Sequence, residues 1–370
     1  MEHRTLNIAL SRINPLRRDR VGRHLIAADA SILECLEALN ALPGGSMTLF
    51  AVDDEGKLCG SLTDGDLRRA MIGGLPLSGK AVAACNRGCM HIGHYDDRYL
   101  LVARARRKGI TLLPVVEEGY VVDIIDLRDM KTALPIDAVL MAGGKGERLR
   151  PLTIDTPKPL LPVGGIPIID YNIRELLRNG AERIFVTVNY LKEKIIDHIS
   201  ATYPPGCGSV VECVAEPCRL GTIGSLALVD GLRHDNILVM NSDLLTNIDF
   251  EKLYLKHLES GADMTMAVIP YSVSIPFAII EHENDRLTGL SEKPTYNYYA
   301  NAGIYMIRRD VIKEINRGSY MDATDLVELL LKKNGNVCYF PIEGTWIDIG
   351  SPDDYRHACE MLRMTPPGAR

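Results

Sequence analysis

The sequence has no uninterrupted apolar stretch of the roughly 18 residues that a membrane-spanning helix needs. Met1-Glu2-His3-Arg4-Thr5 leads into no hydrophobic segment of the kind that directs export, so a cytoplasmic chain is expected. A positive surplus is also missing. Lys+Arg total 42 against Asp+Glu 48, a formal net charge of −6, which removes the broad attraction that nucleic-acid and anionic-membrane binders use. Neither nucleic acid nor membrane is expected as a partner, and a small anion would have to be held by a local cluster of cations. Nine cysteines are present, but Cys85/Cys89 and Cys207/Cys213/Cys218 have no CxxC spacing, and the nine histidines form no HExxH or HxH pattern. Reduced thiols follow, and any metal should be held by oxygen ligands.

Hydrophobic residues make up 46% of the chain and charged ones 24%, a balance that supports packed interiors. At 370 residues the chain exceeds the roughly 100–200 of a usual domain, so two domains are expected.

The first part contains a repeat. Thr48-Leu49-Phe50-Ala51-Val52-Asp53-Asp54-Glu55-Gly56 aligns without gaps on Thr111-Leu112-Leu113-Pro114-Val115-Val116-Glu117-Glu118-Gly119. Each copy reads as a strand, an acidic turn with glycine and a second strand (Leu58 to Leu62, Tyr120 to Ile125), preceded by a helix (Ser31 to Asn40, Asp97 to Lys108). Two β-β-α-like units would each supply half a core. The pair resembles a tandem cystathionine-β-synthase (CBS) domain, a regulatory module that binds adenosine nucleotides. The resemblance implies a regulatory site at Thr63 and Asp66, within Gly60-Ser61-Leu62-Thr63-Asp64-Gly65-Asp66, where hydroxyl and carboxylate suit a ribose diol. In the second copy Asp123, Asp126 and Asp129 stand at the matching positions, and their charge would repel a phosphate. At most one site is expected to bind an adenine nucleotide; the alternative is a module for packing or dimerisation alone.

Lys131-Thr132-Ala133-Leu134-Pro135 reads as a linker, because Pro135 biases its neighbour toward extended backbone. The expected organisation is a CBS pair over 1–130, a linker over 131–135 and a catalytic domain over 136–370. From Ile136 apolar strands alternate with amphipathic helices: strand Ile136 to Met141, helix Pro167 to Asn179, strand Arg183 to Val188, helix Leu191 to Ser200, strand Val210 to Val214, helix Ile223 to Leu232, strand Asn236 to Met240. The fold class predicted is α/β, a doubly wound, mostly parallel, Rossmann-like sheet with a smaller N-terminal α/β module. Ligands should then sit at the carboxyl ends of the strands.

The first of those strands runs into Ala142-Gly143-Gly144-Lys145-Gly146-Glu147-Arg148-Leu149-Arg150-Pro151-Leu152-Thr153, followed by Thr156-Pro157-Lys158-Pro159-Leu160-Leu161-Pro162. A glycine-rich turn lets backbone N–H groups approach phosphate oxygens. GxGxxG fails at Leu149, and no Gly-Lys-Ser/Thr closes a Walker A loop. The whole run resembles the nucleoside-triphosphate transferase family of sugar nucleotidyltransferases. The resemblance implies that Ala142, Gly143, Gly144 and Gly146 bind the nucleotide, that Arg148 forks onto the β- and γ-phosphates, and that Lys158 serves the α-phosphate.

It also implies that Asp243, after Asn241-Ser242, and Asp348, in Trp346-Ile347-Asp348-Ile349-Gly350, hold Mg²⁺, whose hard shell prefers oxygen. Glu292-Lys293-Pro294 and Asn301-Ala302-Gly303-Ile304-Tyr305 match the sugar-site segments, giving Glu292, Lys293, Asn301 and Gly303 as contacts to sugar and phosphate. Ala278 replaces a glycine usual in relatives and leaves the sugar open. Leu220-Gly221-Thr222, after Glu216, resembles the nucleobase stretch of guanylyltransferases; a glycine turn capped by Thr222 is the alternative. After Leu362 only Arg363 to Arg370 remain, so no left-handed β-helix is expected.

Fusion of a CBS pair to this domain is similar to a group that guanylylates glucosamine 1-phosphate. The implied reaction joins GTP to a hexose 1-phosphate and releases pyrophosphate, with Mg²⁺ as cofactor and a homo-oligomer as the assembly. The alternatives are a UDP- or dTDP-sugar pyrophosphorylase, or a non-catalytic nucleotide sensor. The last is opposed by the presence of Arg148, Lys158, Asp243, Lys293 and Asp348.

Overall fold

The computed structural model describes residues 2–43, 47–94, 96–204 and 210–364; Cys207, one of the clustered cysteines, lies outside them. The chain forms two compact units, the first ending at Pro135 and the second beginning at Ile136.

In the first unit, α1 (Glu2–Ser11), α2 (Arg18–Gly22), β1 (Leu25–Ala27), α3 (Ile32–Ala41), β2 (Thr48–Val52), β3 (Leu58–Thr63) and α4 (Asp64–Ile72) lead through the short α5 (Ala81–Ala84) to α6 (Arg98–Arg107), β4 (Leu112–Glu117) and β5 (Tyr120–Asp126). β1 pairs parallel with β2, and β2 antiparallel with β3. Two capping boxes start helices in the first copy: Ser31 with Glu34 on α3 and Thr63 with Asp66 on α4. The second copy keeps α6 and the β4/β5 hairpin, but turns replace a closing helix after β5. Its Asp123 does not project charge at a ligand. Arg17 and Arg20 pair with its two carboxylate oxygens at 2.6 and 2.5 Å, so the charge is neutralised inside the unit.

The second unit runs β6 (Ile136–Ala142), β7 (Pro162–Val163), β8 (Ile166–Pro167), α7 (Ile168–Arg178), β9 (Arg183–Val188), α8 (Lys192–Thr202), β10 (Val210–Ala215), β11 (Asn236–Asn241), β12 (Leu244–Thr246) and α9 (Phe250–Ser260). It continues with β13 (Met264–Ser274), β14 (Ile279–Glu283), β15 (Arg286–Ser291), β16 (Thr295–Arg308), α10 (Ala323–Lys332), β17 (Val337–Pro341), β18 (Trp346–Asp348) and α11 (Pro352–Met364). Seven strands form one sheet in the order β10-β9-β6-β11-β16-β13-β17. β10, β9, β6 and β11 are mutually parallel, and β16 runs antiparallel to both its neighbours. The chain fills the sheet outward from β6 through β9 to β10, then returns to β11 on the other side of β6. That reversal opens a crevice at the carboxyl ends of β6 and β11. β6 is apolar throughout apart from Asp137, as a strand covered on both faces should be. α7 buries Ile168, Ile169, Ile173 and Leu176 along one side.

The helix expected over Ile223 to Leu232 is only a 3₁₀ turn, Gly224–Leu228. The N–H groups of Ile223 and Gly224 bond to the Met321 carbonyl instead of starting an α-helix, and Gly231 takes φ of 86°. Ile223, Leu226 and Val229 still reach the core, so the periodic pattern reflects burial rather than helix.

Candidate functional site at the carboxyl ends of two parallel strands

Asn241 of β11 stands beside Met141 of β6, so the glycine loop after β6 and the Asn241-Ser242-Asp243 turn after β11 emerge together. Two cavities meet there. One is lined by Ala142, Glu216, Gly221, Thr222 and Asn241, the other by Lys145, Gly146, Arg148, Asn189 and Gly350. Gly143, Gly144, Lys158, Arg219 and Asp243 line both, so the two form one cleft.

Each glycine of the loop answers a different constraint. A Cβ at Gly143 would fall 2.7 Å from Oε1 of Glu216, and Gly146 adopts a left-handed φ of 60° against the side chains of Thr153 and Lys158. Above Gly144 the space is open. The Thr153 hydroxyl donates to the Gly146 carbonyl at 2.8 Å, and the Tyr190 hydroxyl donates to the carbonyls of Thr153 and Ile154. These bonds hold the far end of the loop.

Asp243 and Asp348 converge because β12 pairs antiparallel with β18, with Leu244 opposite Asp348, and the Ile349 N–H donates to the Asp243 carbonyl. Ser242 fixes the turn: its hydroxyl donates to the Met141 carbonyl, and its own carbonyl accepts from the Asn172 amide on α7. Lys158 Nζ contacts Asp243 Oδ2 and lies 3.5 Å from Asp348 Oδ1. Sequence reasoning aimed this ammonium at a phosphate; here it is ion-paired with both carboxylates. Burial pushes the Asp348 carboxyl up, the neighbouring Asp243 pushes the same way, and Lys158 and Arg148 oppose them. The Oδ1 atoms of Asp243 and Asp348 are buried without a hydrogen bond. Two converging carboxylates with such oxygens fit a hard divalent cation.

On the other wall, Leu220-Gly221-Thr222 is stitched to the segment before α10. Thr222 N–H donates to Asp322 Oδ1 and Ala323 N–H to Thr222 Oγ1, both at 2.9 Å, while Met321 N–H donates to the Leu220 carbonyl. Gly221 has φ of 81°, and a Cβ there would meet the Met321 carbonyl at 2.4 Å. The Thr222 amide is therefore engaged within the protein, where the sequence suggested a group for reading a base. Glu216 is buried, which raises its carboxyl pKa against hydrogen bonds from Leu220, Ser225 and Thr187.

Asn301 and Gly303 take structural parts. Asn301 accepts from Gly303 N–H and donates to the Tyr305 hydroxyl, and a Cβ at Gly303 would collide with the Asn241 amide at 2.5 Å. Gly303 thus makes room for a cleft residue. Glu292 and Lys293 are exposed at the turn between β15 and β16, outside the lining of both cavities. In the first unit, Thr63 and Asp66 bond to each other, and Asp66 also pairs with Arg69. Sequence reasoning missed Arg219, Asn189, Asn241 and Asp322. Arg219 carried the one usable signal, a cation immediately before the glycine turn.

None of the described helices is long and apolar enough to cross a membrane. A nucleotidyl transferase profile matches residues 137–364, and a CBS domain profile matches residues 24–73. The chain is 32% identical to the mannose-1-phosphate guanylyltransferase of Mycobacterium tuberculosis over 63% of its length and 66% of the relative's. It is 30% identical to a protein of Sulfolobus acidocaldarius provisionally named mannose-1-phosphate guanyltransferase, over 63% of its length and 65% of the relative's. It therefore spans just under two thirds of these curated relatives. A solved Bacillus anthracis structure, provisionally described as a glucose-1-phosphate thymidylyltransferase, overlays with a TM-score of 0.50 at 23% identity, covering 63% of this chain and 97% of that one, and shares the fold. With more than half its length matched by the profile, the chain belongs to the nucleotidyl transferase family.

Proposed function

We propose that this cleft carries out sugar-1-phosphate nucleotidyl transfer, with GTP as the preferred nucleotide and a hexose 1-phosphate such as glucosamine 1-phosphate as acceptor. The supporting observation is the convergence of Lys158, Asp243 and Asp348 beside an open glycine loop. An oxygen of the sugar phosphate attacks the α-phosphorus, the bond to pyrophosphate breaks, and a nucleoside diphosphate sugar forms. The attacking oxygen is already anionic, so no general base is required. Alignment and charge neutralisation are the work to be done. Lys158 draws the acceptor and the α-phosphate together, and Arg148 with the amides of Gly143, Gly144 and Gly146 steadies the departing pyrophosphate. Asp243 and Asp348 would hold Mg²⁺, which when bound supplies charge neutralisation at the phosphates.

The guanylyl preference rests on the names of the two relatives and on the rigid Leu220-Gly221-Thr222 wall, whose fixed shape penalises a base that leaves buried polar groups unpaired. Pyrophosphate release across GTP, UTP, dTTP, CTP and ATP, each with glucosamine 1-phosphate and mannose 1-phosphate, tests it. A clear lead for a pyrimidine nucleotide would overturn the guanylyl reading and leave the reaction class standing.

Four further assignments belong to this reading. The chain works in the cytoplasm, with a CBS pair over 1–130, a linker over 131–135 and the catalytic domain over 136–370. Thr63 and Asp66 take an adenine nucleotide; calorimetry with AMP and ATP on the full chain tests this, and no heat from either would refute it. The assembly is a homo-oligomer, supported by the outer part of β13 and β16. There Tyr271 and Val273 pair with Tyr298 and Tyr296, all between 39% and 58% exposed, while Ser272–Asn297 and Ser274–Thr295 bonds lace the opposite, polar face. The segment also carries Glu281, Glu283 and Glu292 beside Arg286 and Lys293, so a second copy can match its charges. Light scattering that finds only monomer would remove this assignment.

A further inference from the structure

Arg219 lines both cavities of the cleft, and its side chain makes no hydrogen bond or ion pair with any described residue. Its setting is otherwise fixed. Leu220 is buried, its N–H favours the ionised form of the Glu216 carboxyl, and its carbonyl accepts from Met321 N–H. The root of the arginine is clamped, and its exposed head acts on Asp322 and the Tyr320 hydroxyl through its charge alone. The other cations of the cleft are compensated, Lys158 by Asp243 and Asp348, and Lys145 by Glu147 at 3.9 Å. Arg148 lies beside Asp348, whose carboxyl it helps to hold down. Arg219 makes no ion pair with any of these carboxylates, although it lines the same two cavities as Asp243. It lines both cavities together with Gly143 and Gly144.

We propose that Arg219 is a phosphate-binding residue of this cleft, gripping the triphosphate between the nucleoside end and the pyrophosphate end. The inference rests on the nucleotidyl-transfer reading above. A guanidinium suits the task because its planar fork meets two phosphate oxygens at once and its charge is permanent. A rooted arginine also loses less freedom on binding than one on a mobile loop. Because it sits on the wall carrying Gly221 and Thr222, it would couple the fit of the nucleoside to the grip on its phosphates.

The test uses the full chain and three proteins: wild type, Arg219→Ala and Arg219→Lys. Binding is measured by calorimetry for GTP, guanosine and pyrophosphate, or for whichever triphosphate wild type binds most tightly with its own nucleoside. Arg219→Ala should weaken triphosphate and pyrophosphate binding roughly ten- to a hundredfold and leave the nucleoside unchanged, the size expected for one lost charge-assisted contact. Arg219→Lys should recover part of the loss. In turnover, KM for the triphosphate should rise while KM for the sugar phosphate holds. Equal weakening of nucleoside and triphosphate, or no weakening of either, overturns the proposal. A wild type that binds no nucleoside triphosphate overturns the function itself and this inference with it, so the two failures read differently.

Discussion

Two glycine-bearing loops face each other across the cleft, and they use glycine for opposite ends. In the first, the amides of Gly143, Gly144 and Lys145 make no hydrogen bond with the described residues, and the space above Gly144 is open. In the second, the amides of Thr222, Ile223 and Gly224 are all engaged, and Gly221 makes way for the protein's own Met321 carbonyl. One loop offers donors to something outside it; the other gives a wall its shape. A glycine turn in a sequence therefore signals close approach without saying of what. The charged groups divide in the same way. Lys158, Asp243 and Asp348 crowd together on the first side, with two carboxylate oxygens lacking hydrogen bonds, whereas Asp322 on the second side is fully occupied as a brace.

Neutralising the first side should have the largest effect. Asp243→Asn or Asp348→Asn is expected to cut turnover by on the order of a hundred- to a thousandfold, since a bound metal's charge stabilisation is worth several kcal/mol. The same variants should need far more Mg²⁺ for half-maximal rate. Near-normal Mg²⁺ dependence in either variant would remove the metal assignment. Next in size is a matched pair of glycine substitutions. Gly221→Ala forces a side chain into left-handed backbone and against a carbonyl 2.4 Å away, and should cost about 2 kcal/mol or more of stability in urea unfolding. Gly144→Ala meets nothing within 4 Å and should leave stability alone while raising KM for the nucleotide. If Gly144→Ala destabilises as much as Gly221→Ala, the two loops are alike and the distinction fails.

Much of this fold is legible in the sequence alone. The alternation of apolar strands and amphipathic helices gave β6, α7, β9, α8, β10 and β11 to within two residues at each end, because each buries its apolar positions at a regular period. The segment after Ile223 misled, since its apolar spacing serves burial while its amides serve Met321. Pairings made over long sequence separations were illegible for a plainer reason. Nothing local to Thr222 announces Asp322, and nothing near Gly303 announces Asn241. The bonds of Asn301 to Gly303 and Tyr305 are likewise invisible without the bulged strand that makes them. Arg219 was readable as a cation but not as one without a hydrogen bond or ion pair.

The smallest expected effect concerns the carboxylate between the two loops. Glu216 packs under Gly143, and the Leu220 N–H favours its ionised form, so it belongs to both walls. Burial raises its pKa more than its hydrogen bonds lower it. A carboxyl whose folded pKa is raised favours the folded state most at acid pH, and that contribution is lost as pH rises through the folded value, where the ion must be held in a poorly solvated place. Glu216→Gln keeps the shape and cannot ionise. Loss of one acceptor oxygen gives the variant a constant offset in stability, and the loss of ionisation gives a pH-dependent gain. The difference in Tm, variant minus wild type, should therefore grow as pH rises from the acid side of the carboxyl range to neutrality. The reading turns on that slope rather than on which protein is the more stable. A difference that stays flat with pH, or shrinks toward neutrality, would show that hydrogen bonds from Leu220, Ser225 and Thr187 outweigh burial at Glu216. The carboxylate would then stand with the braced wall as a satisfied group, not with the strained charges of Asp243 and Asp348.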